Sequence, residues 1–511
     1  MSLDAISLGV HVGRLRAVCD EMGAVLIRSA HSPNIKERRD CSTALFEPGG
    51  ELVMQAEHIP VHLGSMPDAV AAVLGEEQRP GESWILNDPF RGGTHLPDIT
   101  LITPVFHDSG LAGFVASRAH HADVGGPTPG SMPANSRSLD EEGVVIPPTR
   151  LSGQSEIEDI TVGMRNRPQR VADLRAQLAA NDLGARRLGE LIEADGPAEI
   201  AAALSEILDY SERRTRARLS ELEDGEWEAT DVLEGGPDGS EDIELRVKAA
   251  IAGDELRLDF TNSAGQVDGN LNCPLSVTRS AAFFCVRVLL DPDTPPSAGA
   301  NRPVEVIAPE GSVLNARPGA AVAGGNVETS SRIADLVFKA LADVADGPAQ
   351  GQGTMNNLTL GGTGESEWTY YETLGGGQGA CRDADGPSAI HVAMSNTLNT
   401  PVEALESELP VRVRELSVRR GSGGDGKRRG GDGIVRELEA LEPMSYSLIT
   451  ERRRHAPQGR AGGSAGQPGR NAVDGEDVPA KATGELLAGQ TIRMETPGGG
   501  GFGASHEDSD A

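Results

Sequence analysis

Over most of this chain apolar residues arrive in short runs broken by glycine and proline, and that punctuation limits what it can fold into. The runs Ser42–Phe46, Ser83–Leu86, Ile99–Phe106 and Leu111–Ser117 have strand length and are set apart by turns such as Pro-Gly-Gly at 48–50. Strand signals return over 226–261, ending in Leu256-Arg257-Leu258-Asp259-Phe260. Helical spacing is confined to a few segments. Near the N-terminus Ile6, Val10, Leu15, Val18, Met22 and Val25 trace one apolar stripe. A second runs from Pro168 to Leu222 through Val171, Leu174, Leu178, Leu188, Leu191 and Ile192. Asp195-Gly196-Pro197 breaks it, which predicts an αα-hairpin. Further helices are predicted over 276–290 and from Glu328 to Val344. The chain therefore reads as α+β: mixed sheets in several segments, a helical hairpin, and a glycine-rich, strand-rich C-terminal part. With 511 residues it is too long for one ordinary core. Four regions are expected: 1–165, 166–225, 226–350 and 351–511. Residues 126–165, rich in Gly, Pro and Ser, read as a long ordered loop. GSGGDGKRRGGDG (421–433) reads as a flexible turn region.

No apolar run approaches the ~20 residues that span a bilayer, and the N-terminus lacks the plan of a signal peptide. The five cysteines, Cys19, Cys41, Cys273, Cys285 and Cys381, form no CxxC pair and read as lone thiols. These features predict a cytoplasmic protein. The net charge is −31, and only five of the 46 basic residues are lysine. Such a surface repels itself in dilute buffer and is screened by salt, which predicts a salt-adapted protein. It also argues against nucleic acid, because no basic face is clustered enough to hold phosphates.

Six of the eleven histidines, His58, His62, His95, His107, His120 and His121, fall in one 64-residue window together with Glu57, Asp88, Asp98 and Asp123. Imidazole and carboxylate together suit borderline cations such as Mn, Fe and Zn. In Gly92-Gly93-Thr94-His95-Leu96-Pro97-Asp98, Pro97 forces Leu96 into an extended conformation. His95 and Asp98 then lie on a tight bend that can aim both side chains at one point. Strand alternation sends His120 and His121 to opposite faces, with Asp123 on the face of His121. Only one of the two histidines can be a ligand; the other is free to bind substrate or move protons. His62 and His107 read as ordinary hydrogen-bonded histidines.

At these residues the chain resembles the hydantoinase B/oxoprolinase family. That family includes the B-type subunits of ATP-dependent N-methylhydantoin amidohydrolases and the alpha subunits of acetone carboxylases. The matching segments run collinearly through AEHIPVHLGSMP (56–67), NDPFRGGTHLPDITLITPVF (87–106), ASRAHHADVGG (116–126), AGGNVETSSRIAD (323–335), QGTMNNLT (352–359), YYETLGGGQGA (370–380), NTLNTPVEALE (396–406) and ETPGGGGFG (495–503). The resemblance implies one divalent metal ion held by His95, Asp98 and His120, with a further carboxylate from Asp40 or Glu57. His121 and Asp123 would orient these ligands and serve as catalytic relays. It also implies a separate A-type subunit that binds ATP and phosphorylates the substrate, hence a hetero-oligomer. In keeping with that division, the chain has no GxxxxGK[ST] phosphate loop. It departs from the family pattern at 297–303, at Leu398, and at Ala393, where relatives carry histidine; His391 lies nearby.

The expected reaction is ATP-dependent opening of a cyclic amide: a hydantoin, an N-methylhydantoin or a 5-oxoproline-like lactam. The metal would supply an acidified water, and the loop 126–165 would close over the site. ATP-dependent ketone carboxylation is the alternative, and a non-catalytic scaffold for the A-type subunit is the third reading.

Overall fold

The structure is a computed structural model that describes residues 3–57, 59–62, 64–108, 110–235, 242–362 and 368–504. The N-terminal helix Ala5–Ser29 is capped by Asp4, whose carboxylate accepts the Ile6 and Ser7 amides. It buries Leu8, Leu15, Val18, Cys19, Met22 and Leu26. Ile6 and Val10, expected on that stripe, are instead 82% and 52% exposed. Packing against the helix Arg167–Asp195 selects a face rotated from the one that spacing suggests.

Six strands follow: β1 Cys41–Phe46, β2 Leu52–Glu57, β3 Ser83–Leu86, β4 Asp98–His107, β5 Gly110–His120 and β6 Thr149–Leu151. They make one antiparallel sheet in the order β2-β1-β5-β4-β3-β6. Every residue of β1 is buried because both faces are covered. On one face Cys41, Leu45, Val53 and Val115 pack with the N-terminal helix and the hairpin. On the other, Ala44, Phe46, Leu52 and Phe114 pack with the helix Met66–Leu74. Antiparallel order has a consequence for chemistry: the start of β1, the end of β2, the start of β4 and the end of β5 all lie at the same edge of the sheet.

The hairpin forms as expected from Arg167–Asp195 and Pro197–Leu219, turning at Gly196, where φ is +90°. The segment 126–165 is ordered, and it contains β6 and a short helix, Gln154–Ile160. Strands β7 Gly225–Leu233, β8 Ile243–Ala252, β9 Glu255–Asp259 and β10 Val304–Ile307 form a second sheet. Its β9–β10 pair is parallel and the others antiparallel. The helices Leu275–Leu290 and Ser330–Leu341 share a core with this sheet. The predicted helix from Glu328 is preceded by a π-turn, Gly325–Thr329. Such turns displace side chains from regular helical positions and recur at functional sites.

Two further sheets build the C-terminal part around Leu358, Leu360, Leu438 and Ile492. The expected flexible turn region at 421–433 is a packing element. Gly499 N donates to Gly431 O at 2.9 Å, and Gly431 N donates to Gln378 O at 2.8 Å. A Cβ on Gly499 would lie 2.1 Å from the Gln378 oxygen, and one on Gly431 1.9 Å from the Pro387 oxygen. Glycine is required there for close backbone approach. No helix among the described residues is long and apolar enough to cross a membrane.

Candidate metal centre at the edge of the first sheet

Register brings the site together. Asp98 opens β4 directly opposite His120, the last residue of β5, so the two side chains share a face. On the neighbouring strand Cys41 pairs with Ala119, and the Asp40 carbonyl accepts the His120 amide at 3.0 Å. His95 comes from the bend before β4, where the Asp98 amide closes onto His95 O at 3.1 Å. His62 ends the 3-10 turn Pro60–His62 that follows β2.

These groups converge on Asp98. Its Oδ1 lies 3.2 Å from His95 Nε2 and 3.4 Å from His120 Nδ1, and its Oδ2 lies 3.5 Å from His62 Nε2. Thr94 Oγ1 donates to Oδ2 at 2.7 Å, and Asn326 Nδ2, from the π-turn, reaches it at 3.4 Å. The His120 ring stacks on Tyr371, centroids 4.5 Å apart and planes 11° apart. One donor atom from each of His95, Asp98 and His120 falls within 4.8 Å of the others, the spread of ligands around a single ion.

The donor set fits a cation. All three groups are buried. Both ring nitrogens of His95, and Nε2 of His120 and of His62, make no hydrogen bond of proper geometry. Buried polar atoms are rarely left so, and a bound cation would satisfy them. Burial pushes the His120 imidazole down to about 4, against the pull of Asp98, so it is neutral and able to ligate. For Asp98 burial acts upward, but His95, His120 and His62 outweigh it and hold the carboxyl well below the usual range. Asp40 also lines the pocket; burial, helped by the charge of Asp98, raises it to about 7.

The other expected site residues stand elsewhere. His121 turns to the opposite face, its Nε2 2.9 Å from Gln177 Oε1 on the hairpin. Asp123 accepts the amides of Gly125, Gly130 and Arg165 and pairs with the Arg165 guanidinium at 3.1 Å. Neither lines the pocket, which corrects the expectation of a His121–Asp123 relay. Alternation correctly separates the two histidines; the β4–β5 register then puts His120, not His121, beside Asp98. Glu57 ends β2, but its side chain lies outside the described residues, as does His58. Among the described residues, none of 126–165 lines the pocket, so the long loop does not cover it. His107 sits at the far end of β4. His62, read from sequence as an ordinary histidine, is at the centre. Asn326, Tyr371, Thr373, Ser395 and Thr397 also line the pocket, from segments more than 200 residues away in sequence. No local spacing could have found them, although 326, 371, 373 and 397 fall within the family motifs.

The free volume here is about 20 Å³, room for a water. A larger cavity of about 540 Å³ lies against the helix Ser330–Leu341. Val392 and Ala393 line that cavity, whereas Ser395 and Thr397 line the smaller pocket beside Asp98.

A buried His-Asp-His cluster at a sheet edge, in a chain of this architecture, defines the class of protein. The hydantoinase B/oxoprolinase profile matches residues 4–505, and the chain belongs to that family, as its motifs imply. It is 39% identical to a 5-oxoprolinase of Dictyostelium discoideum over 98% of its own length, but spans only 40% of that protein. It is 30% identical to a protein of a Pseudomonas species named as the B-type component of a D-/L-hydantoinase, covering 98% of this chain and 90% of that one. The crystal structure of an ATP-dependent caprolactamase from Pseudomonas jessenii superposes with a TM-score of 0.91 at 28% identity, over 99% of this chain and 92% of that chain.

Proposed function

We propose that this chain is the metal-bearing subunit of an ATP-dependent cyclic-amide hydrolase. The observation that carries the reading is the buried His95–Asp98–His120 cluster with its unpartnered imidazole nitrogens. Relatives named for 5-oxoproline, hydantoin and caprolactam support a ring amide as substrate. A ring amide is resonance-stabilised, and its nitrogen leaves poorly, so phosphorylation of the carbonyl oxygen by an ATP-binding A-type partner would activate it. The 5-oxoprolinase is some two and a half times longer than the part matched here, which leaves room in that protein for such a function.

His95, Asp98 and His120 would hold a divalent Mn, Zn or Fe ion, with Asp40 or Glu57 as a further carboxylate. Bound there, the metal would lower the pKa of water and so supply a nucleophile at neutral pH. Asn326 and Thr94 fix the Asp98 carboxylate, and Tyr371 fixes the plane of His120. Burial of the cluster keeps bulk water out. With room for only a water, the pocket admits a ring amide only as its walls part.

The test is co-purification with an A-type subunit and an ATP-dependent screen over hydantoins, 5-oxoproline, caprolactam and ketones. Hydrolysis of a cyclic amide without bicarbonate is expected. Turnover that requires bicarbonate would mean ketone carboxylation instead. A metal-free chain whose activity Mn, Zn and Fe all fail to restore would favour the scaffold.

We also propose a salt-adapted cytoplasmic protein. The charge of −31 supports the first, and the absence of a disulfide among the five cysteines supports the second. The melting temperature should rise steadily between low salt and about 1 M KCl, where the Debye length falls to about 3 Å. A flat profile in differential scanning fluorimetry would remove the halophilic reading.

A further inference from the structure

One wall of the metal pocket is a continuous chain of hydroxyls joined through an imidazole. Thr373, Thr397 and Ser395 line the pocket together with Asp98 and its histidines. Behind them, fully buried Arg38 donates from Nη2 to Thr373 Oγ1 at 2.7 Å and to Thr397 Oγ1 at 2.9 Å. The two hydroxyls lie 2.8 Å apart. Thr397 Oγ1 is 3.1 Å from His391 Nε2, and His391 Nδ1 is 2.9 Å from Ser395 Oγ. Arg38 only donates, so each threonine oxygen has already accepted one proton from outside the chain.

The remaining protons can be arranged in two ways. With the His391 proton on Nδ1, that N–H donates to Ser395, Thr397 donates to Nε2, and Thr373 donates to Thr397. The one uncommitted hydroxyl proton is then on Ser395, whose hydroxyl also lies 3.5 Å from the Val392 carbonyl. With the His391 proton on Nε2, that N–H donates to Thr397, Thr397 donates to Thr373, and Ser395 donates to Nδ1. The uncommitted proton is then on Thr373. Either tautomer leaves one free proton, at opposite ends of the chain. Both ends are pocket-lining residues. Burial and the nearby Arg38 charge hold the imidazole down to about 3, so it stays neutral in both arrangements.

We infer that Thr373, Thr397, His391 and Ser395 form a proton wire across the metal pocket, carrying the proton of the attacking water to the departing ring nitrogen. This inference rests on the cyclic-amide reading above and adds to it the route of the proton. As the water oxygen bonds to the carbonyl carbon, its proton passes to the hydroxyl at one end. Each hydroxyl hands on its own proton. His391 gains a proton on one nitrogen and releases one from the other, and the far hydroxyl gives its proton to the nitrogen as the C–N bond breaks. The carbonyl carbon keeps its phosphoryl oxygen as an acyl phosphate, which a second water hydrolyses to the acid and inorganic phosphate. No net charge appears on the chain, and His391 ends as the other tautomer. After product leaves, a pocket water touching both ends returns the proton and resets the wire. Arg38 is a positioning residue that holds both threonine oxygens.

The wire predicts opposite effects from its two ends. In Thr373→Val, the Nε2–H tautomer would strand the Thr397 hydroxyl proton, so His391 should shift to Nδ1–H. In Ser395→Ala, the Nδ1–H tautomer would leave a buried N–H without an acceptor, which is rarer than an unused lone pair, so His391 should shift to Nε2–H. Nitrogen-15 histidine spectra of the full zinc-loaded chain, with the His391 signals identified by their loss in His391→Gln, read both. Opposite shifts are expected. The same tautomer in wild type and both variants overturns the wire, whatever the substrate. In the assembled complex with its A-type partner, His391→Gln keeps a donor and an acceptor but cannot relay. Its kcat for a cyclic amide should fall by about 10²-fold or more with KM little changed. An unchanged kcat overturns the wire and leaves the hydrolase reading standing. A wild-type complex that opens no cyclic amide overturns the reading itself, and with it this route for the proton.

Discussion

His95→Ala should lower turnover at least about 10³-fold and empty the metal site while leaving a folded chain. The expectation of an intact fold rests on the partners of the ring. Neither ring nitrogen makes a proper hydrogen bond within the protein, although Nε2 lies 3.2 Å from Asp98. Removing the ring therefore breaks no proper hydrogen bond, and apart from the weakened hold on the Asp98 charge, which His120, His62 and Thr94 still contact, the cost is mainly that of a cavity, about 2–4 kcal/mol. Metal analysis and circular dichroism of the purified variant check the two halves separately. His121→Ala is the control that tests which of the adjacent histidines matters. His121 faces Gln177 across the sheet from the pocket, so its loss should cost stability and reduce turnover by less than about 10-fold, the lower end of the effect of groups that support ligands. A metal-replete, active His95→Ala protein would remove the site from this sheet edge.

Glu451→Ala should cost about 3–5 kcal/mol, among the largest single-residue effects in the molecule. Glu451 is fully buried. Its Oε1 makes a short ion pair with Lys481, and its Oε2 lies 3.4 Å from Arg332 Nη2 and accepts the Glu234 amide at 3.0 Å. Truncation leaves buried Lys481 without its anion and strips one carboxylate from buried Arg332, which keeps Asp335 at 3.2 Å. The cluster also joins three parts of the chain: Glu234 after β7, Arg332 in the helix Ser330–Leu341, and Glu451 with Lys481 in the C-terminal sheets. The loss should appear as a fall in the urea midpoint. The double variant Glu451→Met with Lys481→Met should recover part of it, because it removes the charge pair rather than half of it. A single variant as stable as wild type would mean that the pair contributes nothing beyond its own desolvation.

Strand lengths, the αα-hairpin and the α+β class were legible because each depends on local pattern: Ser83–Leu86 and the break at Gly196 are visible within a few residues. The buried face of the N-terminal helix was not, because Ile6 and Leu8 are equally apolar and only the partner helix chooses between them. The glycines of 421–433 misled for a similar reason. Composition cannot distinguish a residue chosen for freedom from one chosen to admit another backbone.

The site divides along the same line. The bend at Pro97, the pairing of His95 with Asp98, and the separation of His120 from His121 follow from dihedral limits and strand period, both properties of neighbouring residues. Which histidine faces Asp98 depended on the register of β4 against β5, set by the packing of both faces of the sheet. His62, Tyr371, Asn326 and the Thr373–Thr397–His391–Ser395 chain reach the pocket from distant segments. Their approach is fixed by sheet order and by the C-terminal glycine packing, which no window along the sequence contains. The sequence alone determined that His95 and Asp98 share one bend at the start of a strand. The tertiary structure decided which side chains surround it, because burial and contact are properties of the assembled layers.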